Sequence, residues 1–357
     1  MSDIIYRVSD ENDEAAILSL FSAAFGKEKN LSQWSWEFLG GPQKALIVVA
    51  ETDDRIVGHY AILPRTLKVG QLELKSGLVV DVMTHPSYGR RGIFSQCGIE
   101  AFRIAEKSGL SMLFGFPNDA AIRGHLKVGW TELGAVRVCA RPLTSDSIVK
   151  AMGKSFNLPS PIVKILDILF RVLNKLTLGP QSANLVFEHS PASGLGGMRA
   201  EITELSKSIS GSYPISSTRD FDWLEWRLSD PLDRTIVVIA RDRTSGRMEG
   251  IGALRITTKE RLRVGAVMDV ISRNNDRKVC MLLTRELLRT AADNGCETAV
   301  ALKSPAASLK TMLVGLLLFP TPRKLRFIVR SVDERSLPKE AMALNNWHIT
   351  LLDHDVF

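Results

Sequence analysis

The chain has 357 residues, and 45% of them are hydrophobic, which suffices for two globular cores and excludes a disordered polymer. The formal net charge is +7, which favours anionic ligands. Only 7% of residues are aromatic and no Lys/Arg blocks are interleaved with aromatics, so nucleic acid is not an expected partner.

In chain order, a strand is expected over Ile4 to Val8. A helix is expected from Glu14 to Phe25, with Ala15, Leu18, Phe21 and Phe25 at helical spacing. A short helix around Trp34–Phe38 and strands over Ala45–Glu51 and Arg55–Leu63 follow. Val79 to Met83 is an apolar strand. It leads through Thr84-His85-Pro86-Ser87-Tyr88-Gly89-Arg90-Arg91-Gly92 into Ile93-Phe94-Ser95 and a helix running to Lys107. Next come a strand, Met112–Phe116, a helix from Ala120 to Lys127, and a further strand opening at Gly129-Trp130.

The loop at 84–95 suits a diphosphate. The first N–H groups of a helix have no intrahelical partner, and that end of the helix is electropositive. Gly92 lets an anion approach the backbone, and Arg90 and Arg91 add fixed charge beside it. An ordinary strand-to-helix turn with solvated arginines has the same pattern.

With its surroundings, this unit resembles the GNAT acetyltransferase superfamily over roughly residues 1–142. The family pattern is Gln/Arg-x-x-Gly-x-Gly/Ala, and the aligned positions are Gly89, Arg90, Arg91, Gly92, Ile93 and Phe94. Gly89 departs from it at the first position and Phe94, a large ring near the pantetheine entrance, at the last. Asn118 and Gly129-Trp130 match the family's second landmark, where His125 takes the place of a tyrosine. The resemblance implies acetyl-CoA or another acyl-CoA as donor, bound through Met83, Thr84, Arg90, Arg91, Gly92, Ile93, Phe94, Ser95 and Asn118. It also implies a backbone N–H near Met83 as oxyanion donor.

The unit recurs. Arg55–Ile62 pairs with Arg247–Leu254, Val80-Asp81-Val82-Met83 with Met268-Asp269-Val270-Ile271, and Trp36 before Pro42 with Trp226 before Pro231. Leu185–Glu188 echoes the opening strand, and a helix follows from Met198 to Ser208. The expected fold class is therefore α/β (α+β). Two tandem GNAT-like mixed-sheet domains, 1–142 and 183–357, are joined by a helical linker, 143–182. The second copy is degenerate: Ser272-Arg273-Asn274-Asn275-Asp276-Arg277 replaces the basic glycine loop. It either forms the acceptor side or serves only as a structural partner. The linker helix, Pro161 to Leu178, carries an apolar stripe interrupted by Lys164, Arg171 and Lys175, too polar to span a bilayer. It can lie on a membrane or pack against protein, and a homodimer or interdomain contact is the expectation.

For chemistry, Asp81 is a candidate general base, or a strand-end structural residue, since Asp269 recurs where the loop is absent. His125 is a candidate proton donor, or a hydrogen-bonded surface residue. For a small-molecule amine acceptor, the candidates are Trp226, Arg227, Asp353, His354 and Asp355. Trp226 also suits core packing, and the tail also suits a solvated edge. The tail's carboxylates and imidazoles fit no zinc spacing, so no metal is expected. Likeness to tandem N-acyltransferases of nucleotide-linked amino sugars in surface-polysaccharide synthesis implies that acceptor class. Acyl transfer to an aminoglycoside or thiol precursor, and non-catalytic acyl-CoA sensing, stay open. The four cysteines lack CxxC spacing and the first residues lack an apolar leader, so a cytoplasmic protein is expected.

Overall fold

The computed structural model describes residues 3–53, 55–147, 159–179, 184–231, 234–259, 261–305, 316–332 and 337–354. The elements are β1 (Ile5–Val8), α1 (Glu14–Phe25), α2 (Leu31–Phe38), β2 (Leu46–Thr52), β3 (Arg55–Val69), β4 (Leu72–Thr84), α3 (Ile93–Lys107), β5 (Met112–Gly115), α4 (Ile122–Lys127) and β6 (Thr131–Pro142). There follow α5 (Ser160–Leu178), β7 (Leu185–Pro191), α6 (Arg199–Ser208), β8 (Ile215–Ser217), α7 (Phe221–Leu228), β9 (Arg234–Asp242), β10 (Met248–Lys259), β11 (Leu262–Ser272), α8 (Arg277–Asp293), β12 (Thr298–Lys303), β13 (Phe319–Ser331) and β14 (Trp347–His348). The expected mixed α/β architecture is the observed one.

β3 extends past the expected Leu63 because alternation continues through Arg65, Leu67 and Val69, each buried. A turn at Gly70 then returns the chain as β4, pairing Val69 with Leu72.

The chain divides into two compact units, neither contiguous in sequence: 1–135, 214–218 and 325–347 in the first, 136–213, 219–324 and 348–357 in the second. In the first, the strands run β1-β2-β3-β4-β5 and then the later part of β13. β4 and β5 are parallel and the other neighbours antiparallel. One face of α3 (Ile93, Cys97, Ala101, Phe102 and Ala105) packs on Val48, Ala50, Val57, Tyr60, Ile62 and Val79. The spacing of those α3 residues marks a helix with one buried stripe, and the burial of these side chains is the main term holding it to the sheet.

The second unit repeats the plan as β7-β9-β10-β11-β12, with Val136–Pro142 of β6 next to β12. β11 and β12 are again the parallel pair. α8 buries Val279, Leu283, Leu287 and Ala291 against Val238, Leu254, Val267 and Ala299. Each unit thus includes strands from the other half of the sequence: β8, paired with β3, and part of β13 in the first, and Val136–Pro142 of β6 in the second.

On α5, Leu166, Phe170 and Leu173 are half-buried, whereas Ile162, Ile165, Ile168, Leu169, Val172 and Leu176 are exposed. Among the described residues, no helix is long and apolar enough to cross a membrane.

Candidate active site

β4 supplies the centre of the site. Its ladder with β5 runs only from Ser76–Met112 to Val79–Gly115. Beyond that point the β3–β4 register slips between His59 and Ala61, and Asp81 adopts φ +45°. An extra residue in one strand bends it and ends regular pairing. β4 nevertheless continues to Thr84 against β3, so Val80–Thr84 presents an edge beyond the β5 ladder. Thr84 Oγ1 is buried with no hydrogen-bond partner among the described residues. Such a group suits a ligand that supplies the missing bond.

The turn after β4 then aims the first turn of α3. His85 Nδ1 accepts from the Ser87 N–H at 3.2 Å, and Arg91 lies over the Tyr88 ring at 4.8 Å. Arg90 and Gly92 are left-handed, at φ +63° and +77°. Gly92 is the N-cap of α3, and no side chain caps that turn. The first N–H groups of α3, at Ile93, Phe94 and Ser95, are therefore left without a side-chain cap, and Arg90 and Arg91 precede them. A Cβ at Gly92 would meet nothing within 4 Å, so the approach is open. The matching helix of the second unit is closed: Asp276 caps α8, accepting from Lys278 N–H at 2.7 Å and Val279 N–H at 3.1 Å. Its carboxylate fills the position of an incoming anion and repels one.

Asp81 is not a free carboxylate. It is ion-paired with Lys29, which also holds Glu37 at 2.6 Å. Burial opposes the lysine's charge, but the two carboxylates outweigh it and hold its pKa above the ordinary value. The carbonyl of Asp81 accepts from His59 Nδ1 at 2.7 Å. Lys29 carried no motif, yet its counterpart was recoverable. Lys29 precedes the N-cap Asn30 of α2, and Arg219 precedes the N-cap Asp220 of α7. Arg219 in turn binds Asp269 at 2.5 Å and Asp353 at 2.7 Å.

His125 lies 3% exposed on α4, with its ring 5.0 Å from Phe94 and 5.3 Å from Trp130. Burial pushes its pKa down to about 4, so the imidazole is neutral at pH 7. Phe94 turns toward α4, where a Cβ on Gly124 would lie 2.6 Å from the ring edge. The missing side chain at 124 is what accommodates a large ring at the family's small-residue position. Asn118 is exposed and its Oδ1 accepts from the N–H groups of Ala120 (3.0 Å) and Ala121 (2.8 Å), fixing the turn into α4. Loop, β4 edge, Asn118 and His125 thus all belong to the first unit.

The acceptor candidates lie in the second unit. Trp226, Arg227, Asp353 and His354 are buried, and Asp355 lies outside the described residues. Arg227 donates to the carbonyls of Leu352 (3.2 Å) and His354 (2.5 Å). Thr350 and Asp353 form a reciprocal cap at the final turn. Asp353 is buried, but Arg219 outweighs that and holds its pKa below the ordinary carboxylate value. Among the described residues, no group of three or more His, Cys, Asp or Glu side chains could hold a metal ion.

Residues 5–132 match the family described as acetyltransferase (GNAT) domain. The first unit carries a GNAT acetyltransferase domain. Enzymes of this kind take the acyl group from acetyl-CoA or another acyl-CoA, and the open α3 terminus, the flanking arginines and the unsatisfied Thr84 hydroxyl fit that donor. Among curated proteins none matches the chain. Among solved structures, a GCN5-related N-acetyltransferase from Anabaena variabilis is similar at TM-score 0.63 and 12% identity over 93% of this chain and 73% of that one. A probable N-acyltransferase from Enterococcus faecalis reaches TM-score 0.64 at 11% identity, with the same coverages. A tandem GNAT protein of the clavulanic acid biosynthesis pathway reaches 0.61 at 12% identity, over 94% of this chain and 100% of that one. At these identities the likeness establishes the fold, a tandem GNAT arrangement. The GNAT domain makes the chain an acyltransferase.

Proposed function

We propose that the GNAT domain of the first unit alone binds acyl-CoA and transfers the acyl group to the amine of a small, nucleotide-linked amino sugar. The observation that carries the donor half is the contrast between the uncapped α3 and the Asp276-capped α8. The diphosphate would rest on the N–H groups of Ile93, Phe94 and Ser95 with Arg90 and Arg91 beside it, the pantetheine along Met83 and Thr84, and Asn118 at the α4 turn. In transfer, the amine nitrogen bonds to the acyl carbon, the carbon–sulfur bond breaks, and the amine loses a proton. A backbone N–H of the β4 edge near Met83 stabilises the tetrahedral oxygen, and most of the rate comes from orientation. Asp81 is the proposed proton acceptor. A neutral His125 is limited to donating a hydrogen bond near the departing thiolate.

For the acceptor, the sequence likeness and the +7 net charge favour an anionic nucleotide sugar. Arg227, Asp353 and His354 are already engaged internally, so direct contact with an acceptor requires the tail to move. The reading includes a cytoplasmic setting, consistent with four unpaired, buried cysteines. Thiol release from acetyl-CoA, followed across nucleotide amino sugars, aminoglycosides and simple amines, tests the function. Turnover confined to nucleotide amino sugars supports it, and coenzyme A binding without turnover on any amine would make the chain a sensor.

The proposed partner is a second copy of the chain. Ile162, Ile165, Leu169, Val172 and Leu176 follow a 3-4-3-4 spacing and are exposed, the pattern of a helix–helix seam rather than a broad lipid-facing surface. With Ile168 they offer roughly 600 Å² per copy, so two copies reach about 1,200 Å², the lower end for a stable interface.

A further inference from the structure

Of the triad around Lys29, Asp81 is the proposed proton acceptor; Lys29 and Glu37 are used neither by donor binding nor by proton transfer as described, yet Lys29 grips the residue where β4 breaks from β5. Lys29 lies between α1, α2 and β4: its ammonium is 4.7 Å from the Phe21 ring, 5.1 Å from the Phe38 ring and 2.6 Å from Glu37, and it pairs with Asp81. Both carboxylate partners and the ammonium are largely buried. Asp81 is held at two points, by Lys29 at the carboxylate and by His59 at the carbonyl. Its φ of +45° lies in the left-handed region, uncommon for non-glycine residues although aspartate enters it more readily than most, and here it falls within a strand. The second unit keeps the strap and a register slip beside it, between Ala253 and Leu254, but not the left-handed residue. Arg219 binds Asp269, which is absent from the left-handed residues, and that unit also lacks the glycine loop.

We propose that Lys29 is a positioning residue. It clamps Asp81 in its left-handed conformation and thereby sets the Val82–Thr84 edge of β4 that the acyl end of the donor lies along. The proposal rests on the acyl-CoA reading of this site. The diphosphate end, at the start of α3, is built by other residues and does not depend on the clamp. Lys29 therefore affects turnover more than coenzyme A affinity, as a sub-ångström displacement at the reacting centre costs rate with little change in remote binding. An arginine can replace it, since Arg219 makes the corresponding pair in the second unit.

The test uses the full chain with Lys29→Met, and with Lys29→Arg as the conservative variant. Lys29→Met/Glu37→Gln is added because it keeps the cluster's net charge unchanged and so remains testable if the single variant fails to fold. Backbone deuterium exchange over Val79–His85 should become about tenfold or more faster in the methionine variants and return toward wild type in Lys29→Arg. Turnover should fall roughly 10- to 100-fold, while the calorimetric Kd for coenzyme A stays within about threefold. Exchange and turnover at wild-type levels in a folded methionine variant would overturn the proposal, as would a uniform loss of thermal stability with unaltered kinetics. If the wild-type chain neither binds coenzyme A nor turns over, the acyl-CoA reading fails, and the exchange measurement still decides whether Lys29 holds the kink.

Discussion

Gly92 and Asp276 stand at the same point of a repeated motif, each as the N-cap of the long helix after the central strand. One leaves the helix open and the other closes it with a carboxylate. Gly92→Asp should therefore convert the first unit's terminus into the second's. No neighbour crowds the site, so the substitution costs only the strain of a left-handed aspartate, about 1 kcal/mol. Coenzyme A affinity should fall about 100-fold or more by calorimetry. Unchanged affinity in the folded variant removes the diphosphate from this loop.

Asp276→Ala should have the opposite profile. Loss of the cap costs about 1 kcal/mol of stability, seen in chemical denaturation, and leaves coenzyme A affinity at the wild-type value. A change in affinity would mean that the second unit also takes part in donor binding.

Phe94 and Gly124 should be energetically coupled. A methyl at 124 comes within 2.6 Å of the Phe94 ring, so Gly124→Ala should cost on the order of 1–3 kcal/mol and disturb donor binding. In Phe94→Ala/Gly124→Ala the clash is gone, and the double-mutant cycle should show a coupling of about 1 kcal/mol or more. Strict additivity would place the ring elsewhere.

Stability should decline on acidification below about pH 6.5. Burial lowers the pKa of His125 and of His348 to about 4, and lowers that of His59. Their pKa values are lower folded than unfolded, so between pH 4 and 6.5 the unfolded chain binds the extra protons. Stability is complete above 6.5 and is lost as pH falls through that window. His125 and His348 each contribute at most about 3 kcal/mol. His125→Phe, which suits the surrounding rings, should flatten the dependence of the thermal midpoint on pH. An unaltered slope would show that His125 does not titrate on unfolding.

The α5 seam predicts that Leu169→Glu/Val172→Glu lowers the mass measured by light scattering from dimer to monomer without lowering the thermal midpoint, because both side chains are exposed in the single chain. A wild-type chain monomeric at high concentration, or one that cosediments with anionic vesicles in moderate salt, points instead to an unpaired or lipid-facing helix.

Much of this organisation was legible in the residues. The bounds of α1 and the end of α3 follow from apolar spacing, and the duplication follows from matched strands such as Arg55–Ile62 and Arg247–Leu254. The basic loop identified the open helix end because glycine and arginine act there through local geometry. Lys29 was missed because its partner Asp81 is 52 residues away and no local pattern marks a buried lysine. Aligning it with Arg219 across the repeat was the available signal. The tail's dense polar chemistry suggested a surface role, but Thr350-x-x-Asp353 is a capping pattern, and Arg219 draws the carboxylate inward. The crossing of β6 and β13 between units left no trace, since a strand's own sequence specifies its faces but not which sheet it joins.

That crossing has a practical bearing on how the gene can be divided. Severed within 148–158, the amino-terminal fragment would lack the strand Leu325–Ser331 that lies against β5, and the carboxy-terminal fragment would lack the strand Val136–Pro142 that lies against β12. Each half would be left with an unfilled slot and bare backbone along an apolar sheet, a surface that invites aggregation. The two fragments should be insoluble when expressed singly and recover when expressed together, because each carries the strand that the other's unit lacks.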